Sequence, residues 1–293
     1  MRDKIYLRRF EKKSLEIIKK FEKYEKISDE YILKKSLGLK NSYDGNVDKF
    51  IEENLVRAYA LCMSAIKRCY GITLHKVQLM AGIGLCYGFL VEQKTGEGKS
   101  LTGLLPAYLY GLTDKNCHVV TVNPYLTKRD GEDNGKVLSF LGLSTGIITD
   151  DMKNEQKKEN YAKDVVYVSN TELGFDYLRD QIVLNKDNLV LRGFDFCIVD
   201  EVDSILIDEA KTPLIISSSS DIDAKSLFTM SNMAVYKLNK GYESERFSLA
   251  KDAAGEIRFE VGDYYVREKE RQVILTDIGI KHLEEVLNIE NIA

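Results

Sequence analysis

A glycine-rich turn between an apolar stretch and a predicted helix constrains the fold of this chain more than any other feature. The apolar residues Phe89–Val91 precede Thr95-Gly96-Glu97-Gly98-Lys99-Ser100. This is the Gly-x-Gly-Lys-Ser/Thr pattern of the phosphate-binding loop of nucleoside triphosphatases. Glycine takes backbone angles closed to other residues and has no Cβ to keep a phosphate away. The pattern therefore predicts a short strand, a tight turn and a helix that begins at Lys99.

The residues of the predicted loop suit the parts of a nucleoside triphosphate and its metal. The N–H groups of the turn, from Thr95 to Gly98, and the positive end of the following helix would point at the phosphates. Lys99 would place a cation on the β- and γ-phosphates, and the Ser100 hydroxyl suits a Mg²⁺ ligand. The strict pattern has another glycine where this chain has Gln93, although the helicase-like branch of these ATPases relaxes that position. Taken alone, the loop leaves open a glycine-rich turn with a chance Lys-Ser pair.

A second apolar stretch ends in adjacent carboxylates. Phe194–Val199 is followed by Asp200-Glu201-Val202-Asp203. At the end of a buried strand, Asp200 would hold Mg²⁺ through water, and Glu201 would orient and deprotonate the attacking water. Acids at the start of a helix explain the residue types, but not a strand that ends in Asp-Glu-x-Asp. The two motifs together predict an ATPase site with ATP and Mg²⁺ as cofactors.

A glutamine about twenty residues before the loop is a candidate for base recognition. Gln78 lies where helicase-like motors usually carry an adenine-reading glutamine. Its carboxamide can accept a hydrogen bond from N6 of adenine and donate one to N7, a pairing that guanine does not match. A lone glutamine is otherwise an ordinary surface residue, so both interpretations stay open at this point.

Short apolar stretches alternate with helical segments through the middle of the chain. The predicted strands are His118–Val122, Thr145–Ile148, Val165–Ser169 and Phe194–Val199. Alternation of helices with nearly continuous apolar strands favours a parallel sheet covered on both faces. Ligands of such sheets bind at the carboxyl ends of the strands, where both motifs fall. We therefore predict an α/β fold with the nucleotide site at that edge.

The flanking regions differ in character. Before the sheet, apolar side chains recur at helical spacing from Leu7 to about Glu25 and from Val47 to Cys69, Ser28 starts a helix, and Gly38 to Asp48 is polar and turn-rich. The first helix would pack on its own domain or lie on a membrane surface.

After the sheet, the run Ser217–Ser220 is a surface loop or a domain boundary. The later features are antiparallel strands at Phe259–Val266 and Gln272–Leu275 and a helix capped by Thr276 that runs to Leu287.

Composition narrows the class of protein. The chain has 293 residues, of which 44% are hydrophobic and 30% charged, as in soluble globular proteins. Its 42 basic and 46 acidic residues leave a net charge of −4, which offers no overall basic field for nucleic acid. Five scattered cysteines and three histidines lack metal-ligand spacing, so we expect a reducing cytoplasm without zinc or disulfides. Without an apolar run of about 18 residues, we expect neither a signal peptide nor a membrane span.

Four stretches together resemble one family closely. They are residues 95–100, the Thr-Val-Asn-Pro-Tyr-Leu-Thr-Lys-Arg-Asp run at 121–130, the Glu-Leu-Gly-Phe-Asp-Tyr-Leu-Arg-Asp run at 172–180, and the Val-Asp-Glu-Val-Asp-Ser-Ile-Leu-Ile-Asp-Glu-Ala-Lys-Thr-Pro-Leu-Ile-Ile-Ser run at 199–217. On these residues the chain resembles SecA, the ATPase motor of bacterial protein export. The likeness is strong from Gly71 to Ser217 and continues weakly to the end.

The resemblance implies a domain organisation. Residues 71–219 would form the first of two RecA-like, P-loop motor domains, a parallel sheet with helices on both faces, after a helical N-terminal lead at 1–70. Residues 220–293 would start a smaller α+β inserted domain of the preprotein cross-linking type. The second motor domain with its arginine finger would then lie outside this chain, and the first would lack its closing segment.

The resemblance also implies a function and a set of partners. The protein would be an ATP-driven translocase motor that couples Mg-ATP hydrolysis to the export of unfolded preproteins through a SecYEG-type membrane channel. It would be cytoplasmic and bound peripherally to the anionic inner face of the cell membrane, without a nucleic-acid partner, and a homodimer is allowed. Arg129 and Arg179 would sense nucleotide or relay domain motion, although surface ion pairing explains them as well.

Several positions depart from the family pattern, and two other functions share the site motifs. His75 and Lys76 replace an aromatic residue followed by Asp, Pro124 an Asp, Ser100 a Thr and Lys211 an Arg. Such drift is similar to accessory SecA paralogues that export a restricted set of cell-surface proteins. An RNA or DNA helicase is the chief alternative, and it predicts a basic, aromatic-bearing groove. A nucleotide-binding module without turnover of its own is the third.

Overall fold

The chain divides into two units, Met1–Ile216 and Ser217–Ala293. The computed structural model describes residues 2–216, 224–241, 262–268 and 270–287. The predicted boundary run 217–220 and the beginning of the predicted strand, at 259–261, lie outside the described residues. Within the described ranges, no helix combines the length and the apolar character needed to cross a bilayer.

The larger unit begins with helices, which are α1 (Arg2–Tyr24), α2 (Asp29–Asn41), α3 (Val47–Tyr70) and α4 (Lys76–Cys86). Ser28 caps α2 by accepting a hydrogen bond from the Tyr31 N–H, as the sequence predicts. However, α2 continues through Gly38, where we predicted a polar turn. The buried Ser36 hydroxyl donates to the Leu141 carbonyl at 2.6 Å, and such tertiary contacts outweigh the weak helix propensity of a glycine.

A four-stranded parallel sheet with the order β2-β3-β1-β4 forms the centre of the larger unit. Its strands are β1 (Cys117–Thr121), β2 (Thr145–Ile147), β3 (Val165–Ser169) and β4 (Phe196–Val199). Helix α5 (Lys99–Gly111) precedes β1. The helices that follow β1, β2 and β3 are α6 (Pro124–Phe140), α7 (Asn154–Tyr161) and α8 (Asn170–Ile182), respectively. The two central strands, β1 and β3, are buried along their whole length. The predicted α/β fold with a parallel sheet is confirmed.

The two faces of the sheet pack against different cores, because successive side chains of a strand point in opposite directions. In β3, Val165 and Tyr167 belong to the larger core, which also includes buried side chains of α1 to α5. Val166 and Val168 belong to a smaller core with Tyr161 of α7. The helical lead therefore shares one core with the sheet, and the first helix packs on its own domain. Its buried core side chains are Phe10, Ile17, Phe21 and Tyr24.

The predicted strand at Phe89–Val91 is wrong, since no strand is assigned at these residues. A strand needs a neighbour for its ladder of hydrogen bonds. Residues 88–93 and the edge strand β4 both line one cleft, and the strand that pairs with β4 is β1. Cys197 on β4 is correspondingly exposed.

The smaller unit contains α9 (Ala224–Val235), the antiparallel strands β5 (Tyr264–Arg267) and β6 (Gln272–Leu275), and α10 (Asp277–Leu287). The predicted start of α10 is confirmed, because the Thr276 hydroxyl accepts a hydrogen bond from the Gly279 N–H at 3.0 Å. This unit is an α+β arrangement, as the resemblance implies.

Candidate nucleotide-binding site

The glycine-rich loop has the backbone geometry of an anion site. Gly96 and Gly98 have φ values of 83° and 79°, in the left-handed region that favours glycine. Lys99 begins α5, whose first N–H groups receive no side-chain cap. These uncapped groups and the positive end of the helix dipole attract phosphate. A Cβ built on Gly96 would meet no atom within 4 Å, so the turn faces open space.

Gln78 is packed against this loop from α4. Its amide nitrogen donates to the Glu97 carbonyl at 2.8 Å, and its amide oxygen accepts from the His75 N–H at 2.8 Å. A Cβ at Gly98 would lie 2.5 Å from the same amide nitrogen. The glutamine predicted to read adenine is therefore beside the loop, with both amide atoms bonded within the chain.

The Gly98→Ala substitution should lower the free energy of unfolding more than Gly96→Ala does. Both substitutions place a Cβ at positive φ, which costs about 1 kcal/mol. Only the substitution at Gly98 would also push the Gln78 amide from the Glu97 carbonyl, which adds about 1 kcal/mol for the lost hydrogen bond. Urea unfolding of the two variants measures the difference. Equal destabilisation by both would contradict the role of Gln78 in bracing the loop.

The adjacent acids lie at the carboxyl end of β4. The Asp200 N–H continues the ladder by donating to the Val120 carbonyl at 2.9 Å. Glu201 has a φ of 51°, an uncommon value for a residue with a Cβ. Its N–H donates to the Asp200 carboxylate at 3.0 Å and its carbonyl accepts from the Ile205 N–H at 3.2 Å. Such local strain is often found at functional sites, and here it turns the chain sharply after the strand.

One cleft with a volume of about 850 Å³ brings the two motifs together. Lys99 and Ser100 of the loop line it, as do Asp200 and Glu201 of the acid pair. In the described part of the chain, neither the Lys99 ammonium nor the Glu201 carboxylate forms an ion pair. The cleft therefore presents a cation, a hydroxyl and carboxylates to whatever enters it, which is the donor set that suits a Mg²⁺-bound triphosphate.

One further carboxylate among the acids that line this cleft was not singled out by the sequence. Asp130 of α6 is 7% exposed and lines the cleft. Its Oδ2 accepts a hydrogen bond from the Ser100 hydroxyl at 3.2 Å. The only signal in the sequence was its place at the end of the 121–130 run, next to Arg129.

The two arginines singled out by the resemblance have different surroundings. Arg129 lies outside the cleft lining and binds Asp130, with Nε at 2.8 Å and Nη2 at 2.7 Å from Oδ1. This hydrogen bond to Asp130 raises the pKa of the Arg129 guanidinium. Arg179 pairs with the buried Asp176 at 2.7 Å, which also pairs with Lys157. Arg179 is thus ion-paired with Asp176 and does not line this cleft, whereas Arg129 is connected to the cleft through Asp130.

Comparison with known proteins gives consistent matches. The family described as the SecA DEAD-like domain matches residues 1–287. Protein translocase subunit SecA of Gloeothece citriformis is 43% identical over 276 residues, which cover 92% of this chain and 28% of that protein. The SecA subunits of Lachnoclostridium phytofermentans and Finegoldia magna are 44% and 41% identical over 92% and 96% of this chain, and over 31% of each relative. The chain thus spans less than a third of the length of these curated relatives.

Proposed function

The chain belongs to the SecA family, and we propose that it forms the nucleotide-binding part of an ATP-driven protein translocase motor. The observation that carries this proposal is the single cleft lined by the loop residues Lys99 and Ser100 and by the acids Asp200 and Glu201. Phosphate-binding and water-activating groups in one cleft are what triphosphate hydrolysis requires.

The residues of the cleft, together with the glycine-rich turn that precedes Lys99, fit ATP with Mg²⁺. The turn at Thr95, Gly96, Glu97 and Gly98 would cradle the phosphates with its N–H groups, and Lys99 would bind the β- and γ-phosphates. Ser100 and Asp200 would hold the metal through a hydroxyl and, by way of water, a carboxylate. When bound, Mg²⁺ neutralises negative charge on the phosphate oxygens.

Glu201 is the proposed general base. Glu201 lines the cleft next to Asp200, and its backbone has a φ of 51° just after β4. From there it would orient the attacking water and accept its proton, a contribution of about 10²–10⁴ in rate. Lys99 would stabilise the negative charge of the transferred phosphoryl group in the transition state.

Gln78 and Arg129 are proposed nucleotide contacts of a different kind. Gln78 lies against the loop, and reading adenine would exchange its bonds to Glu97 and His75 for bonds to N6 and N7 of the base. Arg129 is held by Asp130 at the edge of the cleft. Its proposed role is to sense nucleotide through that carboxylate.

We propose that complete translocase activity requires protein segments in addition to these 293 residues. The relatives are more than three times as long as the matched part, and a second RecA-like domain would close over the cleft and couple hydrolysis to movement. Proposed partners are unfolded preproteins, a SecYEG-type channel and the anionic inner surface of the cell membrane, where the cytoplasmic protein would bind peripherally, with a homodimer as an allowed assembly. The names of the relatives support the translocase part of this proposal.

Unfolded preprotein should stimulate ATP hydrolysis by a full-length protein that contains this chain, and single-stranded RNA should not. The reason is that a translocase couples closure of its site to an extended polypeptide, whereas a helicase couples it to a nucleic-acid strand. Steady-state ATPase rates with each polymer measure the difference, and a folded preprotein serves as the control. Residues 1–293 alone should turn over at least ~10-fold more slowly, if a second RecA-like domain completes the site as proposed. Stimulation by RNA alone would favour the helicase.

A further inference from the structure

The structure assigns a role to a buried carboxylate that neither motif includes. We propose that Asp130 is a positioning residue of the nucleotide site, which orients the Ser100 hydroxyl toward Mg²⁺ while Arg129 balances its charge. This inference rests on the proposed function and adds a residue to it. It depends on the contacts that each oxygen of this carboxylate makes.

The contact with Ser100 determines the direction of the hydroxyl proton. A serine hydroxyl has one proton to donate and two lone pairs that accept. The Asp130 carboxylate accepts a hydrogen bond from this hydroxyl at an O···O distance of 3.2 Å, so both lone pairs of Ser100 remain for a metal ion. A carboxylate behind a metal ligand also increases the basicity of that ligand. Asp130 therefore prepares Ser100 to bind Mg²⁺.

The other oxygen of Asp130 is occupied by Arg129. Oδ1 accepts from Nε at 2.8 Å and from Nη2 at 2.7 Å. A carboxylate buried to this degree needs compensation by a positive charge, and Arg129 supplies it while remaining 44% exposed itself. Because the two oxygens serve different partners, pairing with Arg129 does not prevent Asp130 from holding Ser100.

The backbone around Asp130 is restrained on both sides. Three residues before it, the Thr127 hydroxyl is bonded to the Thr121 hydroxyl of β1 at 2.6 Å. One residue after it, Gly131 packs so closely on Ile147 that an added Cβ would lie 2.7 Å from that side chain. Asp130 is thus presented to the loop by a helix that is fixed against the sheet, as a positioning residue requires.

The test measures the affinity of a fluorescent ADP for the 293-residue chain, with Mg²⁺ and with EDTA. Asp130→Asn keeps the shape of the side chain and removes its charge. We expect Kd in the presence of Mg²⁺ to rise ~10-fold, as outer-shell changes at metal sites do, and Kd in EDTA to change less than ~2-fold. Asp133→Asn is the matched control, because Asp133 lies on the same helix and its exposed carboxylate pairs with Lys136. This control should keep wild-type values.

A double-mutant cycle separates positioning from a general structural role. If Asp130 acts through Ser100, Asp130→Asn should have no further effect on the Mg²⁺-dependent affinity in a chain that already carries Ser100→Ala. Equal weakening with Mg²⁺ and with EDTA, or additive effects in the cycle, would overturn the inference. The variant Lys99→Ala tests the site itself, since wild-type affinity there would remove the proposed function as well. If Lys99→Ala loses nucleotide while Asp130→Asn behaves like wild type, only the inference on Asp130 fails.

Discussion

Replacing Lys99 by Ala is expected to weaken ATP binding by about 100-fold or more, which in practice abolishes it. Lys99 lines the cleft and its ammonium group has no ion pair in the described part of the chain, so its charge is available to the phosphates. Removing one partner from a desolvated charge pair costs about 3 kcal/mol or more, which corresponds to that change in Kd. Equilibrium binding of a fluorescent ATP analogue to the full-length protein measures the effect.

Lys94→Ala is the matched control for this prediction. Lys94 is an exposed lysine just before the same loop, and its contact with Glu97 uses the backbone N–H, not the side chain. The control should bind ATP as the wild type does. Wild-type affinity in Lys99→Ala would mean that the glycine-rich turn is not a phosphate site, and the proposed function would fall with it.

Glu201→Gln is expected to leave ATP bound and to slow its hydrolysis by about 10²–10⁴-fold, the contribution of a general base. Glutamine has nearly the shape of glutamate, and it is under the same backbone strain as glutamate at a φ of 51°. The loss can therefore be assigned to proton transfer and not to a changed turn. Single-turnover hydrolysis measures the rate, and retention of ATP after gel filtration measures the trapped nucleotide.

The control for Glu201→Gln is Asp208→Asn, which removes an exposed acid from the same stretch outside the cleft lining. It should hydrolyse ATP at the wild-type rate. The two variants have different expected defects, because Lys99→Ala should fail at binding and Glu201→Gln at hydrolysis. Identical phenotypes would show that the two residues do not have the separate roles proposed for them.

Much of the fold could be predicted because the relevant signals are local. β3 has the predicted bounds, Val165–Ser169, since a run of β-branched residues buried on both faces needs no further information. Ser28 and Thr276 start helices as predicted, because a cap depends on residues within one turn. Prediction failed where distant contacts decide: α2 runs through Gly38 because Ser36 is bonded to Leu141, about a hundred residues away.

The prediction of a strand before the glycine turn was wrong for a related reason. Phe89–Val91 has the apolar character of a strand, but a strand exists only where a neighbour completes its hydrogen bonds. In the described residues β4 pairs with β1 and not with this segment, and the Leu90 side chain is exposed. The local pattern reports apolar character correctly, whereas pairing and burial depend on which other segment lies alongside.

By itself, the sequence determined the chemistry of this protein: the two glycines at positive φ, the lysine and serine that follow them, and the acid pair after an apolar strand. These features are backbone angles and side-chain types within a few consecutive residues, so a short segment of sequence is enough to predict them. Only the tertiary structure decided that Lys99 and Glu201 face one cleft and that Asp130 supports Ser100. Those facts depend on which distant segments pack together, because burial and hydrogen bonding are properties of the whole core.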